Sequence, residues 1–288
     1  MIVEKAFAKV NLFLDVISKR QDGFHEVKTV MHTISLCDDL YINAVLSDKT
    51  EIKLCVDKSD LAVDGSNLVY RAAQAYLNAA NINATVDIKL EKHIPIAAGL
   101  GGGSSDCAAT LRGLNKIFAA LSDEEIYVIS RSLGSDVPFF LFGGSALCCG
   151  RGDEIEPIES KLRMHLVVAI GDDRISTPLA YARLDRIFSD FDGSVPTGAD
   201  RALDCLLSGI STESVPRVLF NIFETDIDKC AKSVLKIKAE MEKCGVIATL
   251  MSGSGPSVFG VFDSEELADF ARDSLISHGI SAFKATFC

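Results

Sequence analysis

Apolar and polar residues alternate near the start of the chain, which predicts a β-strand with one buried face. The apolar face is formed by Val10, Leu12, Leu14 and Val16. Because successive side chains of a strand point to opposite faces, the second face carries Lys9, Asn11 and Asp15. We therefore expect a half-buried strand that presents these polar groups away from the core.

Similar patterns predict further elements. Strand-like runs cover residues 29–36, 40–46, 51–56 and 86–98, and two more flank a Gly/Ser turn within 246–262. Helical spacing predicts helices at 67–80, directly after residue 106, at about 214–224, at 228–243, and from about 263 to Gly279. A further helix starts at Ser122, which forms a capping box with Glu125, and ends at Gly134 as a C′ glycine.

These strands and helices alternate irregularly, and some strands follow one another with no helix between them. That order predicts an α+β fold rather than a regular doubly wound sheet. A boundary near residue 160 would give two domains, 1–160 and 161–288. Residues 190–202 are the most loop-like part of the chain.

Charge and composition exclude several classes of protein. The 288 residues carry a formal net charge of −11, and no run of basic residues suggests a nucleic-acid partner. None of the nine cysteines forms a C-x-x-C pair, which favours buried thiols in a reducing cytoplasm over zinc or disulfide sites. We expect a cytoplasmic protein, because the first residues lack the pattern of a signal peptide and no apolar run reaches the ~18 residues that span a bilayer.

The strongest local feature is a glycine-rich loop between a predicted strand and a predicted helix. It comprises Pro95, Ile96, Ala97, Ala98, Gly99, Leu100, Gly101, Gly102, Gly103, Ser104 and Ser105. Glycines let the backbone approach a ligand closely, and a helix start offers N–H donors and the positive end of the helix dipole. This combination predicts a phosphate site.

Two known phosphate loops fit this segment poorly. No Gly-Lys-Ser/Thr ends it, so it is not a Walker A loop. A Rossmann fingerprint would need an acidic residue at a strand end about 20 residues further on, where Ser122 caps a helix instead. A flexible connection without a ligand is the structural alternative, but four glycines would then cost folding entropy for no function.

The loop, PIAAGLGGGSS, resembles the nucleotide loop of the GHMP kinases, which has the form Pro-x-x-x-Gly-Leu-Gly-Ser-Ser. Further segments resemble one branch of that family, whose substrate is cytidine diphosphate-linked methylerythritol in the non-mevalonate isoprenoid pathway. They are AKVNLFLDV, RQDGFHEV, GSDVPFFLFGGSALCCGRGDEI and LMSGSGPSVFGVF. The resemblance implies an ATP- and Mg²⁺-dependent kinase with a ribosomal-protein-like N-terminal half and a ferredoxin-like C-terminal half.

Small departures from the family pattern leave this resemblance in place. Cys107 stands where alanine is usual, and Ser135 replaces an alanine often found before the catalytic aspartate. Residues 221–224 read Asn-Ile-Phe-Glu where the family has Asn-Asp-Leu-Glu.

The resemblance implies two catalytic residues. Asp136 matches the family's base, and a carboxylate can accept the proton of the alcohol. Lys9 matches the active-site lysine, whose ammonium would stabilise charge on the transferred phosphoryl group. Asn11 shares the strand face of Lys9 and is a candidate substrate contact. Without the resemblance, Asp136 would be interpreted as a turn-capping residue and Lys9 as a solvated lysine.

Other positions are candidate ligand contacts. Phe24 and His25 resemble the pair that binds cytosine by stacking and by hydrogen bonding, and Tyr181 is a candidate for the opposite face of that stack. Asn67 is a candidate nucleotide contact, although it would also suit the N-cap of the helix at Leu68. Gly253 and Ser254 would close over the reacting groups, or simply form a hairpin turn.

Three functions remain in competition. The first is the kinase of the cytidine-linked alcohol, and the second is a homoserine-, mevalonate- or sugar-type GHMP kinase. The DGFH segment argues against the second, because those substrates have no base to stack. The third is a GHMP-fold protein that binds ligands without catalysis, which the presence of both Lys9 and Asp136 disfavours. Metal ligands and oligomeric state cannot be assigned from these patterns.

Overall fold

The computed structural model describes residues 1–160, 162–173, 175–187, 214–225, 227 and 231–288, so the predicted loop at 190–202 lies outside it. The chain divides into two compact units. The first comprises Met1–Ala8, Cys37–Ile96 and Gly101–Gly143, and the second comprises Lys9–Leu36, Ala97–Leu100 and Gly144–Cys288. The domain boundary near residue 160 stays a prediction.

Strands and helices are mixed along the described chain, as the sequence pattern predicted. The strands are β1 (Ile2–Lys19), β2 (His25–Leu46), β3 (Glu51–Val56), β4 (Ala84–Glu91), β5 (Ser145–Cys149), β6 (Glu154–Ile158), β7 (His165–Ile170), β8 (Phe220–Asn221), β9 (Ala248–Met251), β10 (Ser257–Phe262) and β11 (Ala282–Thr286). The helices are α1 (Leu68–Ala80), α2 (Gly102–Phe118), α3 (Asp123–Leu133), α4 (Val137–Phe142), α5 (Thr177–Ile187), α6 (Val215–Val218), α7 (Lys232–Lys243) and α8 (Glu265–Ser277), with a 3₁₀ turn at Ile222–Glu224.

In the first unit, helices α1 and α2 pack together, and β3 and β4 form a parallel pair. Strand β4 also pairs antiparallel with the second half of β2, in the register that sets Asp39 opposite Glu91. The inward-facing residues of β4 alternate with exposed ones, which is the pattern of a sheet with one covered face. Helix α2 begins at Gly102, within the glycine-rich loop and earlier than the start predicted after residue 106, so the last residues of the loop form the first turn of the helix.

In the second unit, four strands form an antiparallel sheet in the order β11-β7-β10-β9. All six residues of β10 are buried, since strands lie on both sides of it and helices α7 and α8 pack against it. Strand β9 is the edge strand of this sheet, and the Gly/Ser segment 252–256 connects it to β10. The short strand β8 pairs in parallel with β1.

Several local predictions are confirmed. Asn67 caps α1, and Ser122 and Glu125 form the expected capping box at α3. Two strands flank the predicted Gly/Ser turn, as β9 and β10. The last helix begins at Glu265, two residues later than Asp263, with Ser264 as its N-cap.

Other local predictions are wrong. Strand β1 is not half-buried, because every residue from 8 to 16 is buried on both faces. The predicted helix at 214–224 is a single turn, α6, followed by β8 and a 3₁₀ turn. Gly134 ends α3 with a φ of 176°, which is extended backbone and not the left-handed conformation of a C′ glycine.

Two helices were missed by pattern reasoning. Helix α4 is only six residues long and has a proline in its first turn, and α5 carries just two buried residues, Ala180 and Leu184. Such short or weakly apolar segments show little periodicity. No helix within the described ranges is both long enough and apolar enough to cross a bilayer.

Gly113 allows α2 to approach the strands of the first unit closely. A Cβ at this position would lie 2.5 Å from Cδ1 of Ile42 and 3.2 Å from Cγ of Glu4. Because Ile42 is fully buried, its side chain has little room to move away. We predict that Gly113→Ala lowers the free energy of unfolding by about 1–3 kcal/mol, measured by urea denaturation, although alanine is the better helix former.

Gly103→Ala is the matched control, because a Cβ on Gly103 of the same helix would lie 3.7 Å from Leu68, an ordinary contact. Its urea midpoint should be unchanged or slightly higher. Equal midpoints for the two variants would contradict the close approach at Gly113.

Candidate active site

The glycine-rich loop takes left-handed backbone conformations at alternate residues. The φ angles of Ala97, Gly99 and Gly101 are 55°, 77° and 72°. Gly99 is required for a second reason, since a Cβ there would overlap the carbonyl oxygen of Ser252. The loop is therefore a specific conformation and not a flexible connection.

The carbonyl groups of three consecutive loop residues accept hydrogen bonds from other parts of the second unit. The Ser257 hydroxyl donates to Ala98 O, the Ser252 hydroxyl donates to Gly99 O at 3.1 Å, and the Lys9 N–H donates to Leu100 O at 2.9 Å. Each of these bonds fixes the orientation of one peptide plane. The backbone of the loop is thus preorganised without any ligand.

The start of α2 has the properties of an anion site. The first helical N–H···O bond runs from Ser105 N to Gly101 O at 2.9 Å, so the three preceding N–H groups have no partner within the helix. No acidic side chain occurs in the first turn of α2. A bound phosphate would meet both the N–H donors and the positive end of the helix dipole.

Burial separates the members of the predicted loop. Ile96 is exposed and Gly103 is exposed at the helix start, while Pro95 and Ser104 are half-buried. Ser105 is only 1% exposed. Ser104 is therefore better placed than Ser105 to offer a hydroxyl to a ligand.

A buried ion triad lies under the start of α2 in the first unit. Lys92 Nζ is 2.5 Å from Asp38 Oδ2 and 2.7 Å from Asp106 Oδ2. Asp38 Oδ1 also accepts the backbone N–H groups of His93 and Ile94 at 2.6 and 2.8 Å. The triad connects Asp106 of α2 to the segment that precedes the glycine-rich loop, and sequence reasoning missed it.

Two carboxyl groups share one lysine in this triad, so one of them binds a proton easily. Burial and the nearby Asp38 raise the pKa of Asp106 to about 8, against the opposing effect of Lys92. Asp106 Oδ1 has no hydrogen-bond partner. The two carboxylates raise the pKa of Lys92 despite its burial, so the lysine stays charged.

Asp136 directly precedes α4 in the first unit and is half-buried. Its side chain makes no capping hydrogen bond to that helix, so the alternative interpretation as a turn-capping residue is not what the structure has. Pro138 in the first turn of α4 has the fixed φ that suits a helix start.

Lys9 belongs to a buried polar chain in the second unit. Lys9 Nζ donates to Asn11 Oδ1 at 2.6 Å, and Asn11 Nδ2 donates to the hydroxyl of Thr29 at 2.8 Å. The Thr29 hydroxyl in turn donates to Phe13 O at 2.6 Å. These bonds explain how polar residues can occupy the buried second face of β1.

The predicted closing loop lies beside this lysine. A Cβ on Gly253 would be 3.6 Å from Lys9 Nζ. Gly253 and Gly255 have φ angles of 59° and 91°, and the hydroxyls of Ser254 and Thr177 are 2.9 Å apart. Sequence reasoning did not identify Thr177, because nothing in the local pattern distinguishes it.

The predicted base-binding residues also gather within the second unit. The rings of His25 and Tyr181 are stacked with centroids 4.6 Å apart, and Tyr181 packs edge-on against Phe223. Phe24 is half exposed, and the guanidinium of Arg151 lies 5.1 Å from its ring centre. Tyr181 thus contacts His25 directly, and its role opposite Phe24 stays a prediction.

Asp185 orients His25, and sequence reasoning missed it. His25 Nε2 is 2.7 Å from Asp185 Oδ1, and Lys19 Nζ is 2.5 Å from Asp185 Oδ2. Hydrogen bonds from Lys19 and His25 hold the pKa of Asp185 below its ordinary value. Because an ionised carboxylate only accepts hydrogen bonds, Nε2 of His25 carries the proton of this contact. In the tautomer that bears only this ring proton, Nδ1 is an acceptor.

Asn67 uses its side chain in the structure of the first unit. Its Oδ1 accepts the N–H of Val69 at 2.9 Å, and its Nδ2 donates to Ala62 O at 2.7 Å. The contact with Val69 is the N-cap role that was the alternative to nucleotide binding. A nucleotide contact by the remaining amide proton stays a prediction.

Comparison with known proteins agrees with this arrangement. Residues 67–144 match the family model described as GHMP kinases N terminal domain, and residues 206–281 match the model described as GHMP kinases C terminal. The expected two-domain GHMP kinase fold is therefore confirmed.

Relatives of nearly the same length are also similar. A 4-diphosphocytidyl-2-C-methyl-D-erythritol kinase from Caldicellulosiruptor saccharolyticus is 36% identical over 95% of this chain and 92% of its own. One from Bacillus cereus is 39% identical over 98% and 93%. A crystal structure of 4-(cytidine 5'-diphospho)-2C-methyl-D-erythritol kinase superposes with a TM-score of 0.81, at 33% identity and with 99% of each chain covered.

The buried triad makes stability depend on pH. Folded Asp106 keeps its proton up to about pH 8, whereas an unfolded aspartate loses it near pH ~4. Between pH ~4 and pH 8 the folded chain therefore holds a proton on Asp106 that the unfolded chain has lost. The contribution of Asp106 to the free energy of unfolding falls as the pH rises through this range, and it levels off above pH 8. We predict that the unfolding free energy of the wild type falls relative to that of Asp106→Asn between pH 5 and pH 8, as urea denaturation would measure.

Asp57→Asn is the matched control. The Lys92 N–H donates to Asp57 and lowers its pKa, so Asp57 is ionised in both folded and unfolded chains throughout this range. The difference in unfolding free energy between Asp57→Asn and the wild type should be the same at pH 5 and at pH 8. If the Asp106→Asn difference were equally constant, the raised pKa of Asp106 would be refuted.

Proposed function

This chain belongs to the 4-diphosphocytidyl-2-C-methyl-D-erythritol kinase family of GHMP kinases, and we propose that it catalyses the reaction named by its relatives. The reaction transfers the γ-phosphate of ATP to the 2-hydroxyl of the cytidine-linked alcohol, giving the 2-phosphate and ADP. It is a step of non-mevalonate isoprenoid synthesis. The observation that carries the proposal is the 39% identity over 98% of the chain.

The loop and the start of α2 support the binding of ATP phosphates. The N–H groups of residues 102–104 have no partner within α2 and can donate to phosphate oxygens. Gly103 is exposed, so the backbone is accessible there. The hydrogen bonds to the carbonyl groups of residues 98–100 fix the part of the loop that precedes these donors in the sequence. The proposed ligand contacts are the loop residues 95–105 and Asn67.

Mg²⁺ fits this site as an ion held mainly by phosphate and water, which is its usual mode in kinases. The half-buried hydroxyl of Ser104 is the candidate protein ligand. Among the described residues, the cluster of possible metal ligands is Asp39, Glu91 and His93, and none of these belongs to the loop. Mg²⁺ would supply positive charge to the β- and γ-phosphates.

Asp136 and Lys9 have the chemistry that phosphoryl transfer requires. We assign Asp136 to remove the proton of the 2-hydroxyl, because it matches the family's base and a carboxylate can accept that proton. We assign Lys9 to stabilise charge on the transferred phosphoryl group. Asn11 holds the Lys9 ammonium at 2.6 Å, which makes Asn11 an orienting residue as well as a candidate substrate contact.

His25 provides selectivity for cytosine in this proposal. Asp185 leaves Nδ1 of His25 as an acceptor, and the exocyclic amine of cytosine is a donor. Uracil has a carbonyl oxygen at that position, so two hydrogen-bond acceptors, this oxygen and Nδ1 of His25, would face each other. Phe24 and Tyr181 offer the aromatic surfaces for stacking.

Homoserine-, mevalonate- and sugar-type kinases are the second candidate function. Their substrates lack a base, so the aromatic and histidine side chains at 24, 25 and 181 would have no ligand. A protein that binds without catalysis is the third candidate, and Lys9 in its hydrogen-bonded chain argues against it.

The decisive experiment follows ADP release from ATP, Mg²⁺ and 4-diphosphocytidyl-2-C-methyl-D-erythritol, with homoserine, mevalonate and galactose in parallel. We expect release only with the cytidine-linked alcohol. Asp136→Asn should reduce turnover by at least about 100-fold, since it removes the base, while ATP affinity changes little. Release with a different alcohol would refute the proposed substrate, and undiminished turnover of Asp136→Asn would refute the base.

Replacement of His25 tests the proposed base contact. His25→Phe keeps a ring that can stack on Tyr181 but removes both nitrogens. We predict that KM for the cytidine-linked alcohol rises roughly 10- to 100-fold, because one base-edge hydrogen bond is lost, and that KM for ATP is unchanged. Steady-state kinetics with each substrate varied in turn measure both.

Lys19→Ala is the control for this test, since Lys19 bonds the other oxygen of Asp185 and its own side chain is 55% exposed. It should leave both KM values within about threefold of the wild type. An equal rise in the two KM values of His25→Phe would exclude a specific role in binding cytosine.

A further inference from the structure

The last residue of β9 and the loop after it are held by two side chains from a different segment. Asn221 Nδ2 donates to Met251 O at 2.7 Å and to Gly253 O at 2.8 Å. Glu224 Oε1 accepts the N–H of Met251 at 2.7 Å. Both polar backbone groups of Met251 are therefore bound by side chains.

The amide of Asn221 is itself fixed in one orientation. Asn221 is 4% exposed and ends strand β8, where it lies opposite Leu14 of β1. Its Oδ1 accepts the N–H of Phe223 at 2.9 Å. A flipped amide would place its NH₂ against an N–H and its oxygen against two carbonyls, so only the observed orientation satisfies every partner.

Glu224 is oriented in the same way. Its second oxygen lies 2.5 Å from Nζ of Lys238 in α7, and both side chains are about four-fifths buried. The carboxylate thus bridges a helix of the second-unit core and the backbone of β9. The Oε1 atom of Glu224 cannot turn away from the Met251 N–H without breaking the ion pair between Glu224 and Lys238.

These contacts matter because they hold a segment that leaves the sheet at its edge. In the described part of the chain, β9 pairs only with β10, so its outer side has no strand partner. The following residues Gly253 and Gly255 both have positive φ, and glycines have many alternative conformations. Asn221 and Glu224 select one of these conformations.

The selected conformation determines what the loop touches. The Ser252 hydroxyl reaches Gly99 O of the glycine-rich loop, and the backbone of Gly253 lies beside the ammonium of Lys9. A displacement of Met251 would therefore move the loop relative to both. Phosphoryl transfer depends mainly on positioning and preorganised charge, and a shift of ~1 Å can reduce its rate about 100-fold.

We propose that Asn221 and Glu224 are positioning residues for phosphoryl transfer, which act by holding the Met251–Gly253 backbone against the glycine-rich loop and Lys9. This inference rests on the proposed kinase function. It assigns a role to two residues of the 221–224 segment, in which this chain departs from the family pattern only at the two positions between them.

Asn221→Asp is the primary test, because it keeps the shape of the side chain but turns an oxygen toward two carbonyl groups. We expect kcat to fall roughly 10- to 100-fold, with KM for ATP and for the alcohol within about threefold of the wild type. Glu224→Ala should have a similar effect. Glu224→Gln keeps an acceptor for the Met251 N–H and should retain most of kcat, so rescue by the conservative variant is part of the test.

A purely structural role would look different. Leu275→Val shortens a fully buried side chain of α8 and destabilises the second unit without touching the loop. Assayed well below its melting temperature, it should keep the wild-type kcat. If Asn221→Asp also kept the wild-type kcat at a comparable melting temperature, the positioning role would be overturned.

Hydrogen exchange separates this inference from the proposed function. In ligand-free protein, Asn221→Asp should speed amide exchange at residues 252–255 at least tenfold, whereas Leu275→Val should not do so selectively. Unchanged exchange would overturn the inference even if the wild type is an active kinase. If the wild type has no kinase activity, the proposed function fails and the catalytic role falls with it, whatever the exchange shows.

Discussion

Three consecutive carbonyl groups, of Ala98, Gly99 and Leu100, are bound from outside the glycine-rich loop, and the candidate site depends on these bonds. A loop with four glycines would otherwise sample many conformations. The donors are two serine hydroxyls around the 252–256 turn and the backbone N–H of Lys9. The bonds therefore connect the glycine-rich loop to the 252–256 turn and to the start of the strand segment that carries Lys9.

Burial of polar groups is the second constraint, and the buried ammonium groups of Lys9 and Lys92 both have hydrogen-bond partners. Lys9 is bound to Asn11, and Lys92 is bound between Asp38 and Asp106. An uncompensated buried charge would cost several kcal/mol. These arrangements hold the lysine ammonium and the first turn of α2 in place before any ligand arrives, which is what electrostatic preorganisation requires.

The fold class, α1, α3 and the β9–β10 pair were predictable, since they rest on strong local signals such as the Ser122–Glu125 capping box. The full burial of β1 was not, because covering its second face with Thr29 and other partners is a tertiary event. Asp185 and the Asp38–Lys92–Asp106 triad join residues far apart in sequence, and no local pattern indicates them. The glycine-rich loop and the Phe24–His25 segment could be proposed as ligand contacts from the sequence because each consists of a few contiguous residues.

Residues that position a site are harder to find in a sequence than residues that react. Asn221 follows a proline-containing turn and was expected to lie in a helix, yet it ends a two-residue strand and binds the backbone of another segment. Its partners are carbonyl oxygens, which every residue has, so its own side chain is the only trace of the interaction. The same holds for Glu224 and the N–H of Met251. Backbone partners thus hide positioning residues from pattern analysis, and the hydrogen bonds of the folded chain are needed to find them.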